Sequence, residues 1–107
     1  MTLQHVVLFK FPRELTAAEA EQLHAMVASW PQKIGLMTKC RFGADITCAR
    51  NRGYSQLLYT EFPDFDTMTA YRDHPVHLEF LAFITELGCE ALAFDYSLDA
   101  DTVLMAE

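Results

Sequence analysis

Residues 71–80 read YRDHPVHLEF and contain a predicted break between two helices in the second half of the chain. A residue that precedes proline is disfavoured in the α conformation, so a helix that includes Tyr71 is predicted to end at His74. Pro75 suits the first turn of a new helix, where its missing backbone donor costs nothing. The stretch therefore predicts two short helices that meet at this point, the second of which runs to about Leu87.

Strand and helix patterns alternate on the N-terminal side of this break. Thr16 and Glu19 have the spacing of a capping box, which predicts a helix that ends by Gly35, with Pro31 as a possible earlier end. Asp66 is expected to cap the helix that precedes the break. Apolar and β-favouring runs predict four strands, at residues 3–11, 37–46, 54–62 and 89–98.

The resulting β-α-β-β-α-β order predicts an α+β, ferredoxin-like fold, with a four-stranded antiparallel sheet and two helices on one face. Two helices cover only one face of such a sheet. The first strand is nevertheless apolar on both faces, and the last strand carries large side chains on the face opposite Ala91 and Ala93. These large side chains are Leu92, Phe94 and Tyr96. We therefore expect a homodimer in which the open sheet face meets that of a second copy.

The length and charge of the chain restrict its organisation and its partners. A length of 107 residues fits one domain, predicted at residues 1–98, followed by an acidic tail at residues 99–107. A net charge of −7 argues against nucleic acid and against anionic membrane surfaces as partners. No apolar run approaches the length of a membrane span, so we expect a cytoplasmic protein.

The cysteines and histidines give no pattern typical of a metal or cofactor site. Three cysteines without a CxxC motif indicate reduced, mostly buried thiols rather than a disulfide framework or a zinc site. His74 and His77 are three residues apart, and a neighbouring carboxylate adds oxygen, but no third ligand follows at a recognisable spacing. We expect neither a metal nor a cofactor.

Tyr71 and His77 are the candidates for chemistry. His77 falls at the edge of the apolar stripe of the second short helix, and an imidazole in such a place can move protons near neutral pH. A continuous helix does not stack residues six apart, but a restart at the break brings the phenol beside the imidazole. Such a pair can polarise a carbonyl and remove a proton from carbon.

Structural roles for the same residues remain open. His74 suits a helix entry at which its side chain caps backbone donors. His77 fits a histidine that satisfies one hydrogen bond, and Tyr71 fits a core aromatic residue. His5, inside the first strand, also has a structural interpretation.

Three segments together resemble the stress-responsive dimeric α/β-barrel (Dabb) family. They are HVVLFKF at residues 5–11, YRDHPVHLEF at residues 71–80 and FDY at residues 94–96. The resemblance spans nearly the whole domain in the same order. It implies a ferredoxin-like homodimer whose two sheets form a barrel.

The family includes a plant polyketide cyclase in which a tyrosine and a histidine carry out an aldol condensation. The resemblance implies that Tyr71 and His77 are catalytic, and that His5 and His74 bind substrate. It leaves three functions open. The first is cyclase or lyase chemistry on a small hydrophobic carbonyl compound. The second is a stress-response or ligand-binding dimer without chemistry. The third, taken from another family of ferredoxin-like dimers, is a monooxygenase.

Overall fold

The computed structural model describes residues 2–104 of the chain. Its elements are β1 (Leu3–Lys10), α1 (Ala17–Ala28), α2 (Trp30–Lys33), β2 (Lys39–Ala44), β3 (Tyr54–Phe62), α3 (Phe65–Asp73), α4 (Pro75–Glu86), β4 (Glu90–Ser97) and a 3₁₀ turn (Leu98–Ala100). The predicted β-α-β-β-α-β order is confirmed. Each of the two helical regions is divided into two helices.

The four strands form one antiparallel sheet in the order β2-β3-β1-β4. β1 is therefore a central strand, which explains why it is apolar on both sides. Its side chains alternate between buried and half-buried positions along the whole strand. Leu3, His5, Val7 and Phe9 are the buried set and face the helices.

The core lies between this face of the sheet and the helices. It is formed by apolar residues from every major element except the two edge strands, β2 and β4. The largest fully buried members are Leu3, Leu23, Trp30, Leu58, Phe62, Tyr71 and Phe80. The predicted ferredoxin-like architecture is confirmed.

The first helical region begins as predicted and divides at the proline. The hydroxyl of Thr16 accepts from the backbone N–H of Glu19, whose carboxylate accepts from the backbone N–H of Thr16. α1 ends at Ala28, and Pro31 occupies the first turn of α2, where its missing donor is not needed. The restart places Trp30 at the beginning of α2 and inside the core.

Two details of the predicted helices and strands are wrong. The cap of α3 is Asp64, not Asp66, because Asp64 is the residue whose carboxylate accepts from the backbone N–H of Thr67, at 2.7 Å. β2 is shorter than expected. It ends at Ala44 because the carboxylate of Asp45 accepts from the backbone of Cys48, at 2.8 Å, and fixes a loop instead.

The side of the sheet away from the helices is rich in large apolar side chains. We call it the open face and define it by Val6, Leu8, Leu57, Tyr59, Leu92, Phe94 and Tyr96. Direct cross-strand pairing joins these residues into a continuous surface. Phe94 is 67% exposed and Leu92 is 53% exposed. A single copy of the chain therefore leaves this surface in contact with solvent.

The remaining features concern thiols, helices and the C-terminal end. Cys40, Cys48 and Cys89 are free, and Cys48 is exposed, contrary to our expectation of burial, because it lies in the loop after β2.

Within residues 2–104, every helix is too short or too polar to span a membrane. The predicted acidic tail is described as far as residue 104, and residues 105–107 lie outside the described part.

Candidate functional site

His74 forms the predicted break between α3 and α4. Its backbone is extended, with φ −66° and ψ 136°, and it serves as the N-cap of α4. Its Nδ1 accepts from the backbone N–H of Val76 at 3.1 Å. This hydrogen bond supports the capping role of His74. It also occupies the Nδ1 atom.

The break brings Tyr71 and His77 together. Their ring centroids are 4.3 Å apart, with the planes tilted by 42°. His77 Nδ1 is 3.0 Å from the backbone oxygen of Arg72. Since a carbonyl oxygen can only accept, Nδ1 carries the proton and donates it to this bond. The lone pair of His77 is consequently on Nε2.

Burial lowers the pKa of His77, which favours the neutral form that can act as a base. Loss of solvent around the ring lowers the pKa of His77 below its ordinary value, and the hydrogen bond to Arg72 opposes only part of this effect. The imidazole is therefore neutral at pH 7. A neutral imidazole with a free Nε2 can accept a proton.

Tyr71 has the complementary property. It is 0% exposed, and its hydroxyl has no hydrogen-bond partner within residues 2–104. Burial raises the pKa of Tyr71 well above its ordinary value, so the phenol keeps its proton. An unpaired buried donor costs about 1–3 kcal/mol. The site thus places the protonated hydroxyl group of Tyr71 beside the neutral imidazole of His77.

His5 joins this pair from the sheet. It is buried on β1, and its ring meets that of Tyr71 edge-on, at 6.2 Å between centroids. His5 Nδ1 forms a hydrogen bond with a carboxylate oxygen of Asp95. Because the carboxylate fixes the imidazole on one side, the second ring nitrogen of His5 is the one available to a ligand.

Asp95 is a site residue that the sequence analysis missed. It lies directly opposite His5 in the β1–β4 register. Two signals were available, since Asp95 lies on the same face of its strand as Ala91 and Ala93, and the ferredoxin-like order places β4 beside β1.

Trp30 closes the cluster from the side of α2. Its ring centroid is 5.6 Å from that of Tyr71 and 5.5 Å from that of His77. It also lines a surface cleft of about 250 Å³ between the α1–α2 segment and α4. Because Tyr71 itself has no exposed surface, a substrate can reach its hydroxyl only after the cluster opens.

A comparison with known protein families places this arrangement in context. The sequence profile described as Stress responsive A/B Barrel Domain (Dabb) matches residues 3–98. The chain belongs to the Dabb family.

Similar proteins include enzymes and proteins without an assigned activity. Over 98 residues the chain is 26% identical to olivetolic acid cyclase from Cannabis sativa. The alignment covers 91% of this chain and 97% of the cyclase. A dimeric ferredoxin-like protein of unknown function from Thermobifida fusca is 28% identical, with a TM-score of 0.79 and 92% of each chain covered.

A hydroxynitrile lyase from Passiflora edulis has a similar fold at 17% identity, with a TM-score of 0.80. The alignment covers 95% of this chain and 97% of the lyase. At this identity the likeness concerns the fold alone. The predicted family and fold are therefore confirmed, and several structural relatives are described as dimeric.

Metal binding gains no support from the geometry of this Dabb chain. The part of the chain from residue 2 to residue 104 contains no group of three or more His, Cys, Asp or Glu side chains placed to hold a metal ion. His74 and His77 direct their Nδ1 atoms to two different backbone groups rather than to a common centre. The expectation that no metal or cofactor is used stays a prediction.

Proposed function

We propose that this Dabb protein catalyses acid–base chemistry of the cyclase or lyase type on a small hydrophobic carbonyl compound. The observation that carries the proposal is the contact between Tyr71 and His77, with a protonated phenol beside a neutral imidazole. Olivetolic acid cyclase, at 26% identity, supports this class of reaction.

The proposed step is proton removal from the carbon next to the carbonyl. His77 Nε2 takes the proton, and the electron pair of the C–H bond moves into the C–C–O system as an enolate. The Tyr71 hydroxyl donates a hydrogen bond to the enolate oxygen and stabilises its developing charge. The enolate carbon then attacks a second carbonyl, whose oxygen takes up the proton from His77, or the carbon itself takes that proton back.

His5 and His74, the two residues predicted to bind substrate, differ in the contacts they make. His5, oriented by Asp95 and in contact with Tyr71, is proposed to bind substrate beside the phenol. For His74 the contacts favour the helix cap, and we propose that it supports the site by fixing the first turn of α4.

We propose that the working form is a homodimer joined through the open face. The support is the exposed apolar surface at Leu92 and Phe94, together with the description of structural relatives as dimeric. The three free thiols fit a reducing compartment, and we propose a cytoplasmic location.

Deuterium exchange tests the proposed chemistry without knowledge of the natural substrate. The native protein is expected to accelerate exchange of the α-protons of 2-heptanone in D₂O, followed by proton NMR. His77→Gln and Tyr71→Phe are each expected to reduce the catalysed rate by about 100-fold. His24→Gln is the matched control, because His24 lies elsewhere and contacts Gln56. Equal catalysed rates in native protein and His77→Gln would exclude the proposal.

The complete burial of Tyr71 favours a second candidate function, a ligand-binding or stress-response dimer without chemistry. In that case Tyr71 and His77 organise the junction of α3 and α4. His77→Gln would then lower the melting temperature, and neither native nor variant protein would accelerate exchange.

A further inference from the structure

Two buried hydrogen-bond donors lie next to His77 without a partner. The indole Nε1 of Trp30 and the hydroxyl of Tyr71 have no acceptor among residues 2–104, and both side chains are 0% exposed. Buried indole and phenol groups normally find a partner. Two such donors packed against one imidazole are therefore available to an acceptor from a bound ligand.

The rings that carry the two donors pack against the same imidazole, that of His77. The centroids of Trp30, Tyr71 and His77 are separated pairwise by 5.6, 5.5 and 4.3 Å. Trp30 also meets Phe80 edge-on at 5.0 Å, which holds the indole against α4. Neither donor can turn to solvent without disturbing this packing.

Trp30 also lies at the base of a surface cleft, although its own side chain has no exposed area. It lines the cleft between the α1–α2 segment and α4, whose walls include Met26, Val76 and Glu79. Because the indole is fully buried, a molecule in this cleft would reach Trp30 only after the lining side chains shift, and Tyr71 packs behind it. After such a shift the indole would be the first buried donor that the molecule meets.

We infer that Trp30 is a substrate-binding residue whose indole N–H donates to a second oxygen of the ligand. The inference rests on the proposed function for the role of Tyr71, which binds the reacting carbonyl oxygen. It defines the substrate class more narrowly, as a carbonyl compound with a second oxygen acceptor a few ångströms from the first. A simple ketone leaves the buried indole donor unpaired.

Because Trp30 is the single tryptophan of the chain, its indole proton can be observed directly. In ¹⁵N-labelled native protein the indole group gives one cross peak. Addition of 2,5-heptanedione is expected to shift this proton downfield, and 2-heptanone is expected to shift it less. The diketone is also expected to bind about fivefold more tightly, from one added hydrogen bond. An unchanged indole signal, equal affinities or absence of binding would overturn the inference.

A replacement that removes only the donor tests the same point. Incorporation of benzothienylalanine at position 30 exchanges the indole N–H for sulfur and preserves the ring shape, which avoids the cavity expected from Trp30→Phe. The preference for 2,5-heptanedione over 2-heptanone is expected to disappear. A preference that persists would refute the role of Trp30.

Tyr71→Phe is the matched control for these titrations. It is expected to weaken binding of both compounds and to leave the preference for the diketone in place. The titrations measure binding and not turnover. Failure of the deuterium exchange assay therefore refutes the proposed chemistry alone, whereas loss of the indole shift with exchange intact refutes the role of Trp30 alone.

Discussion

The rings of Tyr71 and His77 lie 4.3 Å apart although they belong to different helices and are separated by six positions in the sequence. On one continuous helix six positions correspond to about 600°, which would place the two side chains on different faces. The extended backbone of His74 and the new start at Pro75 remove this constraint. The break that defines the local architecture is therefore also what assembles the candidate site.

Loss of the His74 cap should destabilise the protein. His74→Ala leaves the backbone N–H of Val76 without its acceptor and is expected to lower the free energy of unfolding by about 1 kcal/mol. His74→Asn retains a capping oxygen and should lose much less. Urea denaturation of the two variants measures the difference. Equal stability of His74→Ala and native protein would contradict the capping role.

The pH dependence of His77 has a defined direction. Because burial lowers the pKa of His77 below 6.5, the folded protein binds its proton less readily than the unfolded chain. This contribution to stability is complete above about pH 6.5 and is lost as the pH falls towards the lower folded value. The free energy of unfolding should therefore decrease between pH 7 and pH 5, and less steeply in His77→Gln. Identical slopes in both proteins would show that His77 is not the group concerned.

The same lowered pKa predicts the pH profile of catalysis. The rate of deuterium exchange should rise with pH, with a midpoint below 6.5, and stay level through pH 7, because only the neutral imidazole accepts a proton. A midpoint above 6.5 in exchange rates measured across this range would contradict His77 as the base.

The sequence was sufficient for the order of the elements along the chain and for the break, and the reasons are local. The apolar, β-favouring run of β1 and the His74-Pro75 pair act through nearest neighbours, so their consequences do not depend on the rest of the fold. Asp66 was mistaken for the cap because Asp64 is an equally good candidate from composition, and only the position of Thr67 decides between them.

The site itself depends on contacts between distant segments, which the sequence did not supply. The pairing of His5 with Asp95 follows from the β1–β4 register and requires both the strand order and the alignment of the strands. Trp30 was not among the predicted site residues, because a tryptophan in a helical region is most simply a core residue, and it is indeed buried. That its N–H lacks a partner became visible only from the packing around it.

Asp95 should matter through the orientation of His5. Asp95→Ala leaves a buried imidazole without its partner and is expected to cost about 1 kcal/mol, a modest value because the Asp95 side chain is 41% exposed. Asp95→Asn keeps an acceptor and should be close to native in stability. Thermal unfolding of both variants is the measurement. If Asp95→Ala is as stable as Asp95→Asn, the hydrogen bond contributes nothing to the fold.

The open face predicts which substitution should separate the dimer into monomers. Phe94 is 67% exposed in one copy of the chain, and a lysine at this position would bury an unpaired charge in a sheet-to-sheet interface. Phe94→Lys is therefore expected to sediment as a monomer at micromolar concentration, where the native protein sediments as a dimer. Phe65→Lys is the matched control, since Phe65 is 56% exposed at the start of α3, away from the open face, and should leave the dimer intact. A monomeric native protein would refute the dimer, and a dimeric Phe94→Lys variant would show that the interface lies elsewhere.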